Sequence, residues 1–274
     1  MKNRLVIFAF LSALILGFVS CKSEFEKIRA SGDVELIAKK AFDYYKQEDY
    51  TRAQALFELV IPAYRGRPEL EQIYFDYAYT YYKLGRYILA NYYFKNFSST
   101  FPASDKREEA DFMAAYSNYH MSPSYRLDQT YTLKAIDEFE VFVNTYPNSD
   151  RIKECNRLID EMRLKLEKKA FDEGLLYYNL RQYQAATVTF ENLLKDFPET
   201  KNAEQVRYYI CKASYDLASN SIFDKQEERF KATKGYAEDY LRKYEDGLYK
   251  KEIKAIYDES VSKLKSITNG RYQN

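Results

Sequence analysis

The chain has 274 residues, with 42 Lys and Arg against 41 Asp and Glu, a formal charge of +1. That balance leaves no global electrostatic footprint for nucleic acid. With 29 Tyr and 18 Phe but only 8 Gly and 6 Pro, the composition excludes a disordered chain or a β-sandwich and suits helices packed through aromatic faces.

The first element is a short leader. Lys2 and Arg4 precede an apolar run from Leu5 to Leu16 broken only by Ser12. Twelve helical residues reach about 18 Å, well short of the ~30 Å hydrocarbon core, so the run reads as a signal peptide over residues 1–20. Ser20 before Cys21 resembles the bacterial lipobox, with Phe18 where Leu is usual. Cys21 is then the lipidated, palmitate-bearing N-terminus. Loss of Lys2 and Arg4 leaves 40 basic and 41 acidic residues, a charge of −1 over 254 residues. That length holds one elongated domain or two compact ones.

Beyond a linker at 21–34, one pattern returns four times. Tyr44-Tyr45, Ala53 and Phe57 form the first copy, and Tyr81-Tyr82, Ala90 and Phe94 repeat it 37 residues on. Ala135-Phe139 and Ala186-Phe190 continue it, and three copies end in Phe101-Pro102, Tyr146-Pro147 and Phe197-Pro198. In each first helix, apolar residues fall at helical spacing, as in Tyr74, Tyr77, Ala78 and Tyr81. The alanine marks the crossing with the second helix, the phenylalanine fills the space beyond, and the proline ends the pair. Ser104, Ser149 and Thr200 are placed to N-cap the next helix. In the third copy Phe112, Tyr116 and Tyr119 mark the first helix, but Ala135 follows Tyr119 by 16 residues instead of nine. The surplus lies in a loop, Met121 to Gln129, which is either a binding feature or a tolerated insertion.

Ser149 to Lys169 reads as an extra-long helix before the fourth copy. A fifth pair runs Val206 to Leu217 and Gln226 to Tyr244, its small position blurred between Ala232 and Thr233. The stripe Ile253, Ile256, Tyr257, Val261 and Leu264 marks a terminal helix, after which Ser266 to Asn274 is expected to fray. The order aromatic, small, aromatic, proline resembles the tetratricopeptide repeat, which implies an all-α, elongated superhelical solenoid of about five helix pairs plus a C-terminal capping helix.

Chemistry is sparse. One histidine, His120, excludes a site needing two imidazoles, and no phosphate loop, Cys-x-x-Cys pair or nucleophile elbow occurs. Neither an enzyme nor a cofactor or metal site is expected. Cys155 and Cys211 read as buried thiols, with a bridge still open in an oxidising compartment.

A lipid-anchored chain of this length and repeat number resembles the BamD (ComL/YfiO) family. The elements carrying the resemblance are Cys21, Tyr146-Pro147-Asn148-Ser149, and Ala170 to Thr200 ending Lys195-Asp196-Phe197-Pro198-Glu199-Thr200. The resemblance implies a scaffold of the outer-membrane β-barrel assembly machinery, anchored on the periplasmic face by N-terminal acylation into outer-membrane lipid. Its N-terminal repeats (35–120) would bind unfolded barrel precursors. Its C-terminal repeats and cap (121–274) would dock on the periplasmic domains of a BamA-like barrel subunit. Lys22, not aspartate, after Cys21 favours the outer membrane. The competing readings are a cell-division or peptidoglycan-coordination lipoprotein and a surface glycan-binding lipoprotein.

The tetratricopeptide register further implies a concave face for an extended peptide. It is lined by Phe42, Tyr45 and Lys46 in the first repeat and by Phe75, Tyr79, Tyr82 and Lys83 in the second. Aromatic rings there would hold apolar residues, and the lysines would meet a carboxylate or carbonyls. The alternative is that these tyrosines pack between repeats. Tyr125 and Arg126 on the long loop form a second candidate interaction point.

Overall fold

The structure, a computed structural model, describes residues 23–271. Cys21 and the leader lie outside them. Among the described residues there is no strand, and no helix is long and apolar enough to cross a membrane. The fold is all-α, and the described residues form a short helix, five antiparallel helix pairs of tetratricopeptide type in tandem, and a terminal helix.

The chain divides into two compact units. The first holds residues 23–122 with Thr130–Cys155. It begins with α1 (Glu24–Arg29), followed by the pairs α2 (Val34–Lys46) with α3 (Tyr50–Val60), α4 (Leu70–Lys83) with α5 (Tyr87–Thr100), and α6 (Arg107–Met121) with α7 (Thr130–Thr145). The second unit holds Pro123–Gln129 and residues 156–271. It contains most of α8 (Ile152–Asn179), its partner α9 (Tyr183–Asp196), the pair α10 (Ala203–Ser219) with α11 (Phe223–Lys243), and α12 (Lys250–Arg271).

The repeat pattern maps directly onto packing. Ala53, Ala90, Ala135 and Ala186 are fully buried at the crossings, and so are Phe57, Phe94, Phe139 and Phe190 one turn later. A small side chain lets the backbones approach, and the ring fills the gap that the approach leaves. In the fifth pair the blurred position resolves to Thr233, buried and hydrogen-bonded to Ser214 at 2.8 Å, while Ala232 is exposed.

The turns inside three pairs share one backbone. Gly85 sits at φ 70°, and Glu48 and Arg181, each five residues before the crossing alanine, sit at φ 60° and 59°. The following amide closes back on the first helix in each case: Asp49 on Tyr44, Arg86 on Tyr81, Gln182 on Tyr177, all at 2.9 Å. This left-handed closure is a natural helix stop, and glycine is its least strained occupant.

The structure corrects three expectations. Ser104, Ser149 and Thr200 do not N-cap the next helix. Each accepts from the amide two residues on (Lys106, Arg151, Asn202) at 3.0–3.1 Å, forming a hydroxyl turn just ahead of the helix. Each also donates to a carboxylate on an earlier first helix: Glu71 and Glu108 in the first turns of α4 and α6, at 2.7 and 2.6 Å, and Glu167 in the middle of α8, at 2.6 Å. Glu204 repeats this latch in the fifth pair, accepting from Tyr240 at 2.6 Å and from the Leu248 amide at 2.5 Å.

Second, the extra-long helix does not stop near Lys169. It continues to Asn179 as α8 and supplies the first helix of the fourth pair. No proline intervenes, and the exposed Lys168–Asp172 pair at 3.0 Å spans the expected break. Gly174, in this helix, faces Phe190 so closely that an added Cβ would lie 2.6 Å from the ring. Third, α12 runs to Arg271 instead of fraying after Leu264. Its buried positions are Ile253, Ser260 and Ile267, seven residues apart.

Cys155 and Cys211 are free and buried. Burial pushes their thiols up to about 11 and about 12, so both are inert at neutral pH.

Candidate functional site

The peptide-binding candidates all lie in the first unit, on α2 and α4, and they divide into two groups. Phe42 and Phe75 turn to their own second helices: Phe42 lies edge-on to Phe57 at 5.1 Å, and Phe75 meets Phe97 at 5.1 Å. Tyr45 packs on Tyr50 at 5.5 Å, and burial, then the charge of Asp76, raises its pKa far above the ordinary range. Asp76 is itself buried, accepts from Gln72 at 2.8 Å, and is raised chiefly by that burial. Tyr79 sits edge-on to Phe94 at 5.0 Å and donates to Glu109 at 2.5 Å. Glu109 also pairs with Arg151, whose guanidinium lies 4.0 Å from the centre of the Phe112 ring. These four aromatic residues are therefore largely used by packing.

The second group remains accessible. Lys46 and Lys83 are exposed at the ends of their helices. Tyr82 leads into an aromatic cluster that periodicity alone did not single out. It stacks against Tyr116 at 6.2 Å, packs edge-on to Tyr87 at 5.6 Å, and its hydroxyl lies 3.0 Å from His120 Nε2. Tyr87 and His120 stack at 4.8 Å with planes 10° apart, and Tyr116 and Tyr119 stack at 5.7 Å. Burial lowers the His120 pKa from 6.5, which keeps the ring neutral at pH 7. Tyr82 is pushed up to about 12 by burial and by its tyrosine neighbours, so it keeps its hydroxyl proton. The signal for this cluster was in the sequence: Tyr82, Tyr116 and His120 all fall in the last turns of first helices, on one edge. The chemistry is that of a neutral aromatic ledge beside lysines, fit for apolar side chains and for hydroxyl or carbonyl contacts.

The long loop is held by the second unit. Gln129 is buried and donates to the Ser124 and Leu127 carbonyls, both at 2.9 Å, while Lys165 and Lys169 from α8 reach the Pro123 and Leu127 carbonyls at 3.2 and 2.8 Å. The Lys168 ammonium lies 4.6 Å and the Arg126 guanidinium 5.5 Å from the centre of the Tyr125 ring. The same unit has a groove of about 650 Å³ between α9 and α11, floored by Arg207 and Ile210 of α10. Tyr236 ties one wall to the other by donating to Glu191 at 2.5 Å, and Arg207 ties the floor to Asp239 at 3.1 Å. Among the described residues no cluster of His, Cys, Asp and Glu is suited to a metal ion.

Residues 32–230 match the YfiO family, described as outer membrane lipoprotein. The chain belongs to that family. The matched stretch runs from α2 into α11, and so takes in every crossing alanine and phenylalanine described above. A relative from Aquifex aeolicus (strain VF5), provisionally named outer membrane protein assembly factor BamD, is 25% identical over 210 residues, 75% of this chain and 68% of the relative. The outer membrane protein assembly factor BamD of Xylella fastidiosa (strain 9a5c) is 23% identical over 205 residues, 71% of this chain and 70% of the relative. Among solved structures, a thermophilic TPR protein of Thermus thermophilus aligns with 83% of this chain and 98% of its own, at 14% identity and a TM-score of 0.31.

Proposed function

We propose that this YfiO-family chain is a lipoprotein scaffold in the assembly of outer-membrane β-barrel proteins, working by binding and not by catalysis. The observation that supports this most is the family match across residues 32–230, joined by two relatives named for outer membrane protein assembly. In this reading Cys21 carries the acyl chains. One chain would hold the protein weakly, at ~0.8 kcal/mol per buried CH₂, and several hold it firmly.

The division of labour follows the two exposed surfaces. The N-terminal repeats take an extended segment of an unfolded barrel precursor along the ledge of Tyr82, Tyr116 and His120, with Lys46 and Lys83 meeting its carboxylate or carbonyls. The half-buried, packed rings of Phe42, Tyr45, Phe75 and Tyr79 shape the wall behind it. The C-terminal repeats dock on the periplasmic domains of a BamA-like barrel subunit, for which the α9–α11 groove and the Tyr125–Arg126 loop are the candidate surfaces.

Depletion of the chain from its own cells tests the role. The expected result is a fall in folded, heat-modifiable barrel proteins in the outer membrane, restored by the wild-type chain and not by Cys21→Ala. Normal barrel levels after depletion would remove the reading.

A further inference from the structure

The lipid anchor and the first repeat are joined by almost no chain. Only Lys22 and Ser23 separate Cys21 from α1, so three Cα steps keep Cys21 within about 11 Å of Glu24. α1 is not a loose tether. Ile28 is buried, Phe25 packs edge-on to Tyr44 at 6.0 Å, and Arg52 lies over both rings at 5.9 and 5.5 Å. Glu24 pairs with Lys40 at 3.7 Å. These partners fix the direction: α1 lies antiparallel to α2, and its anchor end points to the turn between α2 and α3.

That turn shares an edge with the turn of the second pair, since Arg86 in the α4–α5 turn donates to Gln54 in the first turns of α3 at 2.7 Å. The two tips differ: the α2–α3 turn carries Glu48 and Asp49, the latter paired with Arg52 at 3.1 Å, whereas the α4–α5 tip is unusual for a water-facing surface. The tip Lys83-Leu84-Gly85-Arg86-Tyr87-Ile88 has two cations and no carboxylate. Ile88 and Tyr92, one turn apart on α5, are 61% and 55% exposed, with Leu89 beside them at 42%. Tyrosine, lysine and arginine beside exposed aliphatic side chains are the composition of a membrane–water interface, where rings sit among headgroups and cations meet phosphates.

We propose that the α4–α5 turn of the second repeat rests on the phosphate-bearing leaflet that holds the acyl anchor, with Arg86, Tyr87, Ile88 and Tyr92 in contact with lipid. The proposal rests on acylation at Cys21 and goes beyond it. It sets the Tyr82–His120 ledge beside the bilayer, so a precursor segment bound there lies close to the membrane it must enter.

The test uses the acylated full chain in vesicles of phosphatidylethanolamine and phosphatidylglycerol. An environment-sensitive fluorophore is attached at Ile88→Cys, at Tyr92→Cys, or at Ala103→Cys on the opposite edge of the same unit. Cys155 and Cys211 are buried and stay unlabelled in the folded protein, whose helicity is checked by circular dichroism. Brominated lipid is expected to quench the label at 88 and 92 and to leave the label at 103 bright. Flotation with the vesicles reports the anchor separately. Flotation with equal emission at all three sites would overturn the membrane edge alone, and failure to float would remove the anchor and the edge together.

Discussion

The Tyr79 hydroxyl donates to Glu109 at 2.5 Å across 30 residues of sequence, and through Glu109 it joins the second repeat to Arg151 at the start of the long helix. A bond to a carboxylate in a half-buried setting contributes about 1–2 kcal/mol, so Tyr79→Phe should lower the melting temperature while leaving the fold intact. Burial, then Glu109, raises the Tyr79 pKa far above its ordinary 10.0. Burial is likewise the largest cause for Tyr146, Tyr178, Tyr236 and Tyr240, all raised. An unfolded tyrosine loses its proton near pH 10 while the folded one keeps it. The stabilisation is therefore complete below pH 10 and declines as pH rises toward the folded values. Melting temperatures measured from pH 8 to 11 should be flat at first and then fall steeply, and less steeply in Tyr79→Phe. A flat profile to pH 11 would mean that these hydroxyls are not buried.

The shared left-handed turn gives opposite signs for similar substitutions. Gly85→Ala introduces a side chain at φ 70° with nothing within 4 Å to clash, so the backbone term stands alone at about 1 kcal/mol of destabilisation. Glu48→Gly and Arg181→Gly relieve that strain and should be neutral or stabilising by a few tenths of a kcal/mol. Urea denaturation of the three variants checks the ordering. Destabilisation by Glu48→Gly as large as that by Gly85→Ala would contradict it.

Ala90 carries the crossing of the second pair and is fully buried. Ala90→Leu forces extra methylenes into that contact, with a cost of about 1–3 kcal/mol seen as a lower melting temperature. An unaltered melt would mean that the crossing lies elsewhere.

The fold was largely legible because the repeat advertises its packing: the alanine, the phenylalanine and the aromatic-proline pair each do one steric job that few residues can do. What the chain did not display was long-range polar closure. The latch between Thr200 and Glu167, and the one between Ser104 and Glu71, each span 33 residues, and a hydroxyl before a helix looks the same whether it caps that helix or donates elsewhere. The long helix was divided because the fourth repeat predicts a start near Ala170, whereas nothing in the backbone requires a stop there. At the candidate site, helical spacing placed Tyr79 and Tyr82 on one face but could not say which hydroxyl finds a carboxylate. The place of His120 in the cluster is not legible from its own helix, because Tyr82 and Tyr87, which bond and stack with it, lie on other helices.

The exposed lysines separate binding from packing. Lys46→Ala/Lys83→Ala removes two surface ammonium groups with little expected effect on stability. In titrations with peptides copied from barrel-protein C-termini, the double variant should bind several-fold more weakly than wild type, with the difference shrinking at high salt. Equal affinity would move the client contact away from α2 and α4, to the Tyr125–Arg126 loop first.

The proposed scaffold role is tested most directly by purification of the full chain from detergent-solubilised membranes of its own cells. The account predicts co-recovery, in stoichiometric amount, of a large barrel protein with periplasmic repeat domains. Recovery of cell-wall or division proteins in its place, with no such barrel, would contradict it.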